Sequence, residues 1–537
     1  MKNLVLLLLL FSGSVIRAQQ SEPDTINISG KGLSSLGDEI KNNPGALAVN
    51  LLRNSCTNWD SVFTLLGNLH NLHDIRVSMS VRDLVKLMPE HKKQLTGLQI
   101  TDSKIDRIPE VLRELPELNW LDMCGFCNDV SVSDLTPLCS IVKLKYLDIS
   151  YCGINALPPE IGKLTLLEVL NADNNKLKSL PDETSSLVNL RSLVISNNQV
   201  TALPAATGNL AKLEVLVAKN NKISQLPDEI CKLINLRKLD MSNNLIENLP
   251  SAIGSMKAME ELDLRNNHLN TLPVSTGNLA NLRELLVSQN NLVSIPAEIC
   301  ILKNLKKLFL RDNKLASLPR ELFDYSWFTE LDLSNNSIAE VPGEIGKMTE
   351  LRSIDLSNNR LTSLPREIGM LKNLRWLVAT DNKIGAIPVE VCSLPYLSEL
   401  DLSGNLLKRI PPEISRLDSL AYIDFSDNKL EELPPEIGHF IVFNELDLSN
   451  NRLSSIPKEL GNLKNLVSLD LSGNKLKSLP REIGNLTGLT ELELNDNLLK
   501  ELPEELGKLT GLTWLTYDKN KIKNLPEGIR KIVEKIK

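Results

Sequence analysis

Between Leu236 and Pro250 the apolar positions fall at Leu236, Leu239, Met241, Ile246 and Leu249, a pattern of the form L-x-x-L-x-L-x-x-N-x-L-x-x-L-P with Asn244 at its centre. Leu239 and Met241 alternate with Lys238, Asp240 and Ser242, which predicts a short strand with one face turned inward. In Pro227-Asp228-Glu229-Ile230-Cys231-Lys232-Leu233 the apolar Ile230 and Leu233 stand three apart, which predicts one short helical turn on the opposite side. Pro250 and its counterparts carry no amide hydrogen, so the Leu pair ahead of each proline does not extend into a longer strand.

The unit recurs. Its asparagine returns at Asn175, Asn198, Asn221, Asn244, Asn267, Asn290, Asn313, Asn336, Asn359, Asn382, Asn405, Asn428, Asn451, Asn474, Asn497 and Asn520, 23 residues apart at every step. Cys152 holds the place one period earlier. Phe126, Ser103, Ser80, Asn54 and Lys31 continue the register backwards with two longer spacings, giving about 22 full or degenerate units. Such units stack their strands in parallel, so the predicted fold is an α/β solenoid with a sheet on one side and short helical turns on the other. Each asparagine is expected to turn inward where the chain leaves the strand, its amide satisfying backbone groups that would otherwise be buried unpaired.

This repeat resembles the leucine-rich repeat family, and its L-P-x-E-I-G-x-L form, clearest in Pro365-Arg366-Glu367-Ile368-Gly369-Met370-Leu371 and Pro480-Arg481-Glu482-Ile483-Gly484-Asn485-Leu486, is similar to the Ras-group scaffold proteins. The resemblance implies a horseshoe with a concave parallel sheet, partner binding on that concave face and no catalysis.

Residues 144–526 are expected to be regular repeats, and residues 19–143 an irregular N-terminal stretch whose cap is the degenerate unit Ile26 to Ile40. Residues 527–537 are expected to cap the other end, with Ile529, Ile532, Val533 and Ile536 at helical spacing. Residues 1–18 read as a secretory signal: Lys2, the apolar run Leu4 to Phe11, and a small residue, Ala18, before Gln19. No later segment is apolar for long enough to insert in a membrane.

Composition narrows the picture further. Hydrophobic residues make up 42% of the chain and aromatic residues only 4%, so the core must be built from Leu and Ile. A formal charge of -7 with both signs interspersed argues against nucleic acid as partner. Phosphate-loop, zinc-protease and nucleophile-elbow motifs are missing, and no enzyme, cofactor or metal role is assigned. Cys231, Cys300 and Cys392 share the place of Gly in E-I-G and are expected to be buried thiols. Cys124, Cys127, Cys139 and Cys152 leave three alternatives open: free structural thiols, a disulfide within the group, or a zinc site. His70, His73 and His91 read as surface histidines.

Outward strand residues lie two, four and six places before each ladder Asn. At four places, Asp401, Asp424, Asp447, Asp470 and Glu493 form an acidic column, which either attracts a cationic partner or is the ordinary soluble lining of an Asp-x-Ser repeat. Apolar residues interrupt the polar lining at Val194, Val215 and Val217, at Leu286 and Phe309, at Trp376 and Val378, and at Tyr422 and Trp514. An apolar side chain turned away from the core is a candidate anchor for a partner. The favoured function is an exported binding protein that recognises a protein, or alternatively a polysaccharide, on the concave face. The competing reading is an intracellular scaffold that binds a GTPase or phosphatase; a structural stalk is a third. Export predicts a mature chain beginning at Gln19, checked by the intact mass of the envelope-located protein. A cytosolic chain retaining Met1 would assign the intracellular scaffold instead.

Overall fold

A computed structural model describes residues 25–536 except 31–32, 35, 55, 57, 101–106, 125–133, 325 and 441–443. The secretory-type segment 1–18, the register positions Lys31, Ser103 and Phe126, and Cys127 therefore lie outside the described residues. The chain divides into two compact units, one ending at His268 and the other beginning at Leu269.

In the first unit, strands Thr25–Asn27, Ala48–Leu51, Asp74–Met79, Gly97–Ile100, Trp120–Asp122 and Tyr146–Asp148 lead into three-residue strands from Val169–Asn171 to Glu261–Asp263. Each pairs in parallel with the next, so that Leu216 faces Leu239 and Leu239 faces Leu262 in register. In the second unit, eleven such strands run from Glu284–Leu286 to Trp514–Thr516, again parallel and again offset by one repeat. The return segments are 3-10 turns such as Arg366–Met370 and Arg481–Asn485, each entered from a proline in extended conformation. Twenty-three residues leave no room for more once strand and corners are formed. The longer N-terminal repeats do have room, and there true α-helices form at Leu36–Asn42, Trp59–Leu66 and Val81–Lys86.

The core is a stack of leucines out of contact with water: Leu236, Leu239, Met241, Ile246 and Ile253 of one repeat are all 0% exposed. The asparagines join successive layers. Asn451 donates from Nδ2 to the Phe425 carbonyl of the preceding repeat (2.8 Å) and to Leu448 and Ser449 of its own (3.1 Å each), while its Oδ1 accepts the Leu430 amide (2.9 Å). The same arrangement recurs from Asn198 to Asn520. Further back, Asn54 makes the equivalent carbonyl bonds, but Ser80 instead caps the helix Val81–Lys86. Cys152 fills its ladder place with a thiol donating to the Met123 carbonyl at 3.2 Å.

The residue before each ladder Asn occupies the left-handed region, with φ of 56° at Asn243, 52° at Asp427 and 66° at Gly473. Asn, Asp and Gly tolerate this conformation best, which is why most repeats read Asn-Asn, Asp-Asn or Gly-Asn at the turn, Gln289 and Lys519 being exceptions. On the opposite side, the Gly of E-I-G has a steric reason: a Cβ at Gly438 would fall on the Glu459 carbonyl oxygen of the next turn. Cys231, Cys300 and Cys392 take that place as free, buried thiols, and burial pushes them up to about 11, 12 and 12 respectively. Thiols so far above neutrality carry almost no thiolate.

The end helix Glu527–Ile536 packs on the turn Glu504–Lys508 with Ile529 and Ile532 buried and Val533 half-buried. At the other end, Ile26, Leu36 and Ile40 are buried. His91 is a correction. It is only 7% exposed, stacks on Phe63 with ring centroids 5.4 Å apart, and bonds Asp60 at 3.0 Å through Nδ1. It follows Pro89 in a short helix that turns the ring against the helix Trp59–Leu66, a contact no strand-and-turn repeat would make.

Candidate binding face

Strand geometry sends alternate side chains inward to the leucine core and outward to the open side of the sheet. In the first unit that outward side is closed over. Val194, Val215 and Val217 form one cluster, exposed by 5%, 0% and 8%. In register beside Val215 are Ser192 and Lys238, and beside Val217 are Val194 and Asp240. β-Branched side chains on adjacent strands cover one another, and Arg191–Glu214 (2.6 Å) and Lys238–Glu261 (2.7 Å) bridge neighbouring repeats around them. The exposed valine patch expected here does not exist. Leu286, at the start of the second unit, is likewise buried at 7% exposure.

The remaining candidates of the second unit reach solvent. Trp376 is 42% exposed and Trp514 52% exposed, while Phe309, Val378 and Tyr422 are half-buried. The carboxylates of Asp401, Asp424, Asp447, Asp470 and Glu493 occupy one position on five consecutive strands, all half-buried. Each aspartate commits one oxygen to its own turn: Asp447 Oδ1 accepts the Ser449 amide at 2.8 Å, and Asp401 Oδ1 accepts both the amide and hydroxyl of Ser403 at 3.0 and 2.8 Å. Asp-x-Ser is therefore a structural turn clasp as well as a lining. Burial, reinforced by the flanking Asp424 and Asp470, pushes the Asp447 carboxyl up to about 6, and burial also raises Asp401 and Glu493.

Sequence reasoning missed an open cavity of about 470 Å³ lined by Glu330, Arg352, Ser353, Arg375 and Trp376. Its arginines stand seven places before Asn359 and Asn382, one place before the strand positions considered outward. A comparison of that column between repeats would have found them.

Three cysteines of the possible metal group do not converge. Cys124 is exposed, Cys139 is buried in the turn Leu138–Ser140 and Cys152 sits at the ladder position. Among the described residues, the one group with ligand atoms all within 4.8 Å of one another is Asp122, Cys124 and Asp148. Its carboxylates are already engaged, Asp122 by Gln99 Nε2 and the Cys124 amide, Asp148 by Ser150 and by Asn171 Nδ2.

Models of the leucine-rich repeat region match residues 118–225, 182–267, 220–322, 366–472 and 458–534, and a leucine-rich repeat model matches 328–384. The chain belongs to the leucine-rich repeat family. A solved leucine-rich repeat protein of Leptospira interrogans is 32% identical, with 76% of this chain and 97% of that one covered and a TM-score of 0.61. The Arabidopsis receptor kinase HAESA, solved with the peptide hormone IDA and the co-receptor SERK1, is 28% identical over 90% of this chain and 84% of that one, with a TM-score of 0.72. A disease resistance-like protein of Arabidopsis thaliana is 29% identical over 103 residues, 18% of this chain and only 8% of that protein. Among the described residues, no helix is long and apolar enough to cross a membrane.

The acidic column makes stability depend on pH. A carboxyl raised from 3.8 to about 6 on folding stabilises the fold fully below pH 4 and loses that contribution as pH rises through 6. Thermal melts at pH 5, 6 and 7 should show this fall, and Asp447→Asn should flatten it; an unchanged slope would mean that Asp447 titrates normally.

Proposed function

We propose that the chain is an exported, non-enzymatic scaffold that binds a protein or peptide on the open sheet face of its second unit. The observation that carries the reading is Trp376: an indole 42% exposed at a strand position turned away from the core, on a face where Phe309, Val378, Tyr422 and Trp514 also reach solvent among polar side chains. Water contact on a large ring gives the fold nothing, whereas its transfer into a partner supplies much of the energy of association. Leucine-rich repeat domains are generally binding scaffolds, and the HAESA relative solved with a peptide hormone supports a peptide or protein as the ligand class. Export is supported by the composition of residues 1–18.

The test is selection of a random peptide library on the full chain. Recovered binders should weaken at least tenfold on Trp376→Ala and be unaffected by Met370→Ala, an exposed residue in a turn on the opposite side of the repeat. Recovery of no peptide, or only of peptides indifferent to Trp376, contradicts the reading.

A further inference from the structure

The column seven places before the ladder Asn carries a pattern in the first unit that breaks in the second. There, Arg191 is followed one repeat later by Glu214, and Arg237 by Glu260, and each arginine bonds the glutamate that follows it. Opposite charges one strand apart neutralise each other across a spacing of about 4.8 Å. In the second unit the alternation fails twice: Lys306 follows Arg283, and Arg375 follows Arg352, and the Arg375 amide donates to the Arg352 carbonyl at 2.8 Å. Neither the Arg352 nor the Arg375 guanidinium has an ion pair among the described residues, and both are exposed. Between them and Trp376 lies the open cavity of about 470 Å³.

Resting on the reading of this face as a peptide-binding surface, we propose that Arg352 and Arg375 form a subsite for an acidic side chain of the bound peptide, with an apolar neighbour of that side chain resting on Trp376. Two like charges held one strand apart repel, and an oxyanion between them relieves the repulsion while accepting planar, paired hydrogen bonds from guanidinium groups. The Glu330 carboxylate in the same cavity wall selects a singly charged carboxylate over a doubly charged phosphate. Carboxylates line the strands on both sides of this position, Asp332 and Asp355 before it and others after it, so the rest of the peptide is basic. From Trp376 the strands continue to Glu399, Asp424, Asp447 and Glu493, while the column that held the arginines becomes Ser398, Ala421, Asn444, Val467 and Thr490, without charge. The five strand steps from Trp376 to Glu491 span about 24 Å, the length of about seven extended residues. The ligand that fits is an extended segment with an acidic head and a basic tail.

A double-mutant cycle tests this with the full chain and a synthetic probe, Ac-GEWEGKGKGKG-amide, whose blocked ends leave only side chains to carry charge. Calorimetry at low ionic strength should show the probe binding wild type at least tenfold more tightly than its Glu→Gln form. That difference should vanish in the Arg352→Ala/Arg375→Ala protein, whose melting temperature is checked to show that it folds. A Glu→Gln effect of equal size in both proteins, or no binding of the probe to wild type below 1 mM, overturns the subsite. If library-selected peptides still depend on Trp376 in that case, the binding face stands and only the carboxylate subsite fails; if they do not, both fail.

Discussion

Each regular repeat from Asn175 onward depends on one side-chain amide. A chain that turns out of a three-residue strand, crosses the core and returns in 23 residues leaves backbone donors and acceptors facing leucine, and each one left unpaired costs about 1–3 kcal/mol. The ladder asparagine meets several at once. Its amide nitrogen reaches carbonyls in two repeats and its oxygen takes an amide from the repeat before, as Asn451 does with Phe425, Leu448, Ser449 and Leu430. Because those bonds cross from layer to layer, they also set the offset between strands, and the left-handed residue ahead of each Asn follows from the turn they enforce. Asparagine suits the place through having both a donor and an acceptor on one short side chain.

With the inward half of each repeat fixed in this way, the outward half is free to differ, and the two units use that freedom differently. The first spends its outward positions on self-contact: valines cover valines and arginines pair with glutamates one strand away. The second leaves the indoles of Trp376 and Trp514 exposed, with arginines beside Trp376 and carboxylates on the strands to either side. Burial, reinforced by the neighbouring Asp424 and Asp470, raises Asp447 to about 6, a cost to stability near neutral pH that a cationic ligand would offset.

Periodicity made the scaffold legible. Strand, ladder Asn, turn and buried cysteine column all follow from residue types that recur in register, and Ile529 and Ile532 of the end helix were visible as an amphipathic spacing. The contacts that sequence reasoning missed depend on neighbours one or more repeats away. Val194 and Val217 look like anchors in a single repeat and are covered only because the next strand carries another bulky side chain. His91 looked superficial because nothing in its own segment announces Asp60 and Phe63 across the stack. Arg352 and Arg375 are ordinary surface residues until set beside Arg191–Glu214, where the same column is neutralised.

The most direct test of the ladder is amide hydrogen exchange at Leu430, which lies outside regular secondary structure and whose amide is held by Asn451 Oδ1 at 2.9 Å. In wild type this amide should exchange as slowly as those of the strand Glu445–Asp447, and in Asn451→Ala it should lose that protection. Exchange at Leu430 as fast as in an ordinary loop, or unchanged by the substitution, would contradict the account.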